Sequence, residues 1–179
     1  MATRFTSVRK SVLTAAFIAM CVVLPMAFHS VGLGSTFAPM HIPVLMCGLV
    51  CGGGYGLLCG LVGPLLSSVL TGMPGAAILP SMVPELMTYG LITGLLMKHV
   101  RTGKLYADLY ISLGAAMLIG RAVAGIAKAL FFTGGEGYSF ALWISGHFVT
   151  SAPGIICHLL VIPVLTSTLM RAKLLPKRY

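Results

Sequence analysis

Residues 39–75 read PMHIPVLMCGLVCGGGYGLLCGLVGPLLSSVLTGMPG. The run holds no Asp, Glu, Lys or Arg, yet it is full of glycine and proline. Gly48, Gly52, Gly56 and Gly60 recur every fourth residue. In water such a segment would leave too much apolar surface uncovered. In a bilayer it makes sense, because membrane helices use small residues to bring backbones close together. Close packing of the second and third spans accounts for this glycine ladder; the prolines and the histidine at the ends of the run ask for something more.

The rest of the chain agrees with a bilayer as solvent. Of 179 residues, 58% are hydrophobic and only 8% are charged, with a mean hydropathy of +1.00. Soluble domains carry about 25% charged residues. The net charge of +9 would suggest nucleic acid in a soluble protein, but the basic residues here sit at the ends of apolar segments and no nucleic-acid motif is present. The expected fold is therefore an all-α integral membrane protein, a single membrane domain over 1–179. Its six transmembrane helices fall at about 10–30, 41–53, 54–72, 80–98, 107–132 and 139–170. The first segment, with Arg4, Arg9 and Lys10 before it, imitates a signal peptide but lacks a convincing small-residue cleavage site and reads as a retained span. The second is short for a membrane helix of about 20 residues, and Cys51-Gly52-Gly53-Gly54 reads as a tight turn at its end. Pro153 and Pro163 predict that the sixth is kinked or begins before the membrane.

Six spans put both termini on one side. Of the twelve Lys and Arg residues, Arg121 and Lys128 lie inside a span. The other ten precede the first span, join the fourth to the fifth, or follow the sixth, and the loops near 29–40, 73–79 and 133–138 have none. This asymmetry predicts cytoplasmic N- and C-termini and a multi-pass protein of the plasma membrane.

Inside the spans, ionisable groups are costly, about 2.5–3.5 kcal/mol at the bilayer centre on insertion scales, so they pair or line a cavity. Glu85 is about 7 Å below the outer end of the fourth span, Lys128 about 6 Å and Arg121 about 16 Å below that of the fifth, and His147 about 12 Å into the sixth. Arg121 and Lys128 are seven apart and share a face, as do Trp143 and His147, four apart. These groups converge on the outer half of the bundle. One carboxylate and two cations leave a formal excess of +1, which suits an anionic, hydrogen-bonding solute arriving from outside. A purely structural Glu85–Arg121 pair with Lys128 snorkelling outward is the competing reading, and His147 reads equally well as a satisfied core histidine. The five cysteines, Cys21, Cys47, Cys51, Cys59 and Cys157, have no CxxC or zinc spacing and read as small packing residues.

Several chemistries find no support. There is no GxxxxGK[ST] loop, no HExxH, no GxSxG and no clear inverted repeat. Ser145 and His147 would point to different faces of one helix, which disfavours a Ser-His protease. No metal or cofactor is expected. A small bundle with an outer polar pocket and no energy source of its own reads as a binding subunit. A small intramembrane enzyme built on His147 or Glu85, or a scaffold protein, are the alternatives.

The sequence resembles the substrate-binding S component of an energy-coupling factor (ECF) vitamin transporter, over most of its length. The likeness is strongest in Pro39-Met40-His41-Ile42-Pro43, the glycine-rich second-to-third connection, Pro64-Leu65-Leu66-Ser67-Ser68, Thr71-Gly72-Met73-Pro74, Pro84-Glu85-Leu86 and Tyr89-Gly90. Within the family it is most similar to the pantothenate branch; a riboflavin site would use more aromatic surface than this chain, with its one Trp, offers. The resemblance implies a six-helix bundle with the solute site near the outer surface, formed by the loop after the first helix and by helices 4, 5 and 6. It makes Glu85, Arg121, Lys128, His147, Trp143 and His41 the candidate substrate-binding residues. It also implies partner docking through an Ala-x-x-x-Ala motif on the first helix, matched here by Ala15 and Ala19. The partners implied are a transmembrane T component and two cytoplasmic ATPases on other chains. The S component would capture vitamin under the 29–41 and 73–79 loops and reorient against the T component, with no covalent chemistry of its own.

Overall fold

A computed structural model describes residues 6–30, 32, 37–131 and 143–175; of these, the side chains of Phe131 and His147 are left out. The described elements are helical, with no strand among them. In chain order they are α1 (Ser7–Ser30), α2 (His41–Cys51), α3 (Gly53–Thr71), α4 (Leu79–His99), α5 (Leu105–Phe131), a π-helical turn (Ser145–Val149) and α6 (Ala152–Arg171). Four of them, α1, α3, α5 through Leu130, and α6, are long and apolar enough to cross a membrane. The 11-residue α2 is about 16 Å long at 1.5 Å per residue, roughly half of a ~30 Å hydrocarbon core. The polar side chains of α4, discussed below, explain why it is not among the four.

The punctuation in the sequence has local causes. Gly52, at φ 101°, adopts a backbone conformation that side chains oppose, and its N–H closes α2 on the Gly48 carbonyl at 3.0 Å. The chain reverses there and α3 begins one residue later. Gly72, at φ 72°, ends α3 in the same way. The sixth expected segment is not one continuous α-helix. The π-helical turn gives way at Thr150–Ser151 to a new helix with Pro153 in its first turn, where a missing N–H costs least. Residues 132–142, which include the start of that expected span at 139–142, lie outside the described residues.

Helix α4 is the hub of the bundle, packed broadly on α3, α5 and α2; α6 touches α2 and α5 more sparsely. The contact with α2 and α3 is made by glycine. A Cβ at Gly48 or Gly56 would run into the Gly90 carbonyl, and one at Gly60 into the Leu86 carbonyl and, at 2.6 Å, the Met87 nitrogen. From the other side, Gly90 meets the backbone of Gly56, and Gly94 that of Gly52 and Gly53. The ladder predicted to join the second and third spans does bring Gly56 to the Cα of Gly48. Its main use is to seat both against the fourth. Val44, Leu45, Cys47, Leu86, Tyr89, Leu113 and Ile162 fill the core beside it.

All five cysteines are free thiols; Cys47 points at the Thr14 hydroxyl (3.7 Å) and the Tyr55 carbonyl (3.5 Å). Arg9 Nη2 donates to the Leu174 carbonyl at 3.3 Å, tying the start of α1 to the residues after α6. The α4–α5 connector carries Arg101 and Lys104, and there the buried Asp108 carboxylate accepts hydrogen bonds from the Thr102 N–H (2.9 Å) and hydroxyl (2.8 Å).

Candidate solute site

The face of α4 turned away from the glycine contact is polar. Glu85 and Tyr89 are one helical turn apart and therefore stacked on the same face. Both are buried, as is Arg121 on α5. The Tyr89 hydroxyl donates to Glu85 Oε1 at 2.7 Å and accepts from Arg121 Nε at 3.2 Å. Tyrosine can do both at once because its oxygen is donor and acceptor. The expected association of Glu85 with Arg121 is thus built with Tyr89 as a link between them.

Two glycines on α5 explain how large rings fit around Arg121. A Cβ at Gly120 would occupy the place of the Tyr89 ring, and one at Gly125 the place of the Trp143 indole. Tyr89 lies against α5 on one side of Arg121 and Trp143 on the other. Trp143 Nε1 donates to the Arg121 carbonyl at 3.1 Å. Phe148, from the π-helical turn, stands edge-on to Trp143 with centroids 5.4 Å apart and places its face 5.4 Å from the Arg121 guanidinium carbon. A cation over an aromatic face is attracted by the ring quadrupole, more so when both are out of water.

His41, the first residue of α2, completes the group. Its Nδ1 lies 3.0 Å from the Ala38 carbonyl. A carbonyl only accepts, so Nδ1 carries the proton and Nε2 faces Glu85 Oε1, 3.8 Å away. The His41 ring packs on Tyr89 at 5.3 Å and stacks on His158 of α6 at 5.5 Å. Four elements, α2, α4, α5 and α6, thus meet around one carboxylate and one guanidinium.

Of the six residues expected to bind solute, Glu85, Arg121, His41 and Trp143 come together. Lys128, two turns beyond Arg121 on α5, is exposed, so a shared helix face does not mean shared burial. The backbone of His147 is in the π-helical turn, and its side chain lies outside the described residues. Ala15 and Ala19 are exposed on α1. Tyr89, His158 and Phe148 are the members that sequence reasoning missed. Tyr89 had a signal, its four-residue spacing from an intramembrane glutamate. His158 had only that of a histidine in an apolar span.

A small cavity of about 70 Å³ lies between the end of α1, the Ala38–Met40 turn, Met73–Pro74 and Met82, and none of the group's residues lines it. A larger cleft of about 550 Å³ opens elsewhere, around Lys10, Lys98 and the Gly52–Gly54 break. Among the described residues no group of His, Cys, Asp or Glu is arranged to hold a metal ion.

The model of the family described as ECF transporter, substrate-specific component, matches residues 9–166. The chain belongs to that family. It is accordingly a membrane protein and a transport subunit that binds a small substrate, of a kind that works with T and ATPase modules. Comparison with curated proteins and with solved structures returns no match.

Proposed function

We propose that this S component captures pantothenate from outside the cell and delivers it inward with a T component and two ATPase subunits. The observation that carries the reading is the buried Glu85–Tyr89–Arg121 chain, ringed by His41 and Trp143, in a member of a substrate-binding family. Polar groups inside a membrane protein are expensive and mark functional sites. Pantothenate has a carboxylate, hydroxyls and an amide, so it needs both a cation and neutral hydrogen-bonding groups. In this reading Lys128, near the outer end of α5, receives the carboxylate. Arg121 is held by Tyr89 and Glu85 and sets the field of the site, and Glu85 orients the cation or accepts from the hydroxyls. His41, Trp143 and His147 form walls. Mass spectrometry of the small molecules released by the purified protein tests it: pantothenate is the expected release, and another vitamin in its place overturns the solute while leaving the transport role.

The orientation belongs to the same reading. Arg9 bound to the Leu174 carbonyl and the basic α4–α5 connector support termini and connector in the cytoplasm. A Thr102→Cys variant should resist an impermeant thiol reagent added to intact cells; labelling from outside would reverse the topology.

A further inference from the structure

His158 is 1% exposed, and neither of its ring nitrogens has a hydrogen-bond partner. That is unusual for a buried imidazole, which in its neutral form has one donor and one acceptor to satisfy. The backbone carbonyls of Phe37 and Ala38 lie near the ring without completing a hydrogen bond to it, and that of Ala38 is already occupied. The Ala38 carbonyl accepts from both the backbone N–H and the Nδ1 of His41, each at 3.0 Å, which uses its two lone pairs. The stack on His41, 5.5 Å between centroids at 17°, engages the ring face and leaves the nitrogen edges unused. Leucine or phenylalanine would fill this place in the α2–α6 contact without stranding polar atoms, so packing does not account for histidine here.

We propose that His158 is a solute-binding residue. Resting on the reading above, it takes the neutral polar part of the solute, a hydroxyl or a secondary amide, while Lys128 takes the acid. Such groups donate and accept at once, as the imidazole does. The substrate class is therefore a carboxylic acid bearing hydroxyl or amide groups, rather than a simple acid. In this structure the Ala38–His41 turn lies against His158, with the His41 ring stacked on it. Ala38 stands at φ 43°, in the left-handed region that alanine disfavours, so the turn is strained and its displacement relieves that strain. The solute takes the place of the turn and supplies the partner that the carbonyl of Ala38 cannot.

The test is titration calorimetry with pantothenate on the full-length purified chain. His158→Phe is expected to weaken binding tenfold or more while the solute-free protein melts no lower than the parent, because the substitution removes an unsatisfied polar group. His158→Gln, which keeps a donor and an acceptor, is expected to stay within a few-fold of the parent. A His158→Phe protein that binds like the parent overturns the proposal and makes the site of His158 one for trapped water at most. Should His158→Phe not fold, nitrogen-15 histidine spectra of the parent decide, with His158 assigned from its loss in the Gln variant. Its ring signals should shift on saturation with pantothenate, and unmoved signals overturn the proposal. A parent that takes up no pantothenate refutes the solute reading first. The same variants are then titrated with the molecule that mass spectrometry recovers from the protein, and if none is recovered both proposals fall.

Discussion

The two sides of α4 are built on opposite principles. Toward α2 and α3, Gly90 and Gly94 let backbone lie on backbone. Toward α5 and α6, the same helix presents Glu85 and Tyr89, whose hydrogen bonds reach Arg121. Where backbone meets backbone at Gly48, Gly56 and Gly90, no side chain can move aside, so that contact has little freedom to repack. The polar side is held by a few directional bonds between long side chains, and α6 touches the bundle sparsely there. A transport subunit needs both: a half that keeps its shape and a half that opens to a solute. The difference teaches that glycine spacing marks a backbone-packed contact and intramembrane charge marks the hydrogen-bonded group proposed as the solute site, even on one helix.

The largest effect should come from breaking the scaffold. Gly90→Leu would drive a side chain into the Gly56 backbone, which cannot yield, and should abolish the folded protein in detergent. Gly90→Ala, with one carbon, should destabilise it by about 1–3 kcal/mol, read as a lowered melting midpoint. An Ala variant as stable as the parent would mean that the α3–α4 contact is not the tight one described.

On the polar side, Tyr89→Phe removes the link between Glu85 and Arg121 and keeps the ring against Gly120. Stranding those groups should cost about 1–3 kcal/mol, less than Gly90→Leu, with weakened solute binding as well. Unchanged stability and affinity together would reduce Tyr89 to a filler of space.

The smallest effect on the isolated chain is expected at α1. Ala15 and Ala19 are exposed, so Leu at either position should leave folding and pantothenate affinity as they are. The added volume should instead hold a partner helix away and weaken association with the T component. Retention of the T component in a pull-down with both substitutions present would remove docking from this face.

How much of this was legible in the sequence differs between the two sides. The helices and the common end of the two termini follow from apolar length and the placement of Arg and Lys, properties local to each segment. The glycine ladder was visible, but its chief partner was not. Periodicity tells which residues share a face and says nothing of which neighbour meets it, so Gly90 and Gly94 passed unremarked as its counterpart. In the site, Glu85 and Arg121 stood out because charge is conspicuous in an apolar run. Tyr89 and His158 did not, since their roles depend on which helices meet. Lys128 shows the limit of periodicity from the other direction: seven residues from Arg121 on the same face, it is exposed where Arg121 is buried. The sixth segment was expected to kink or to begin before the membrane, and a break between helical elements comes just before Pro153.

The central claim is that Lys128 binds the acid of the solute beside a buried Arg121 held by Tyr89 and Glu85, and titration calorimetry with pantothenate tests it most directly. The parent, Lys128→Met and Arg121→Met are compared, with folding of each checked by its melting curve. The account predicts that the parent binds and that Lys128→Met loses about tenfold or more, each tenfold being about 1.4 kcal/mol. Arg121→Met should lose binding together with stability, because it leaves the buried Glu85 carboxylate without a counter-charge, a cost of about 3–5 kcal/mol. Two folded variants that bind pantothenate as tightly as the parent would contradict it.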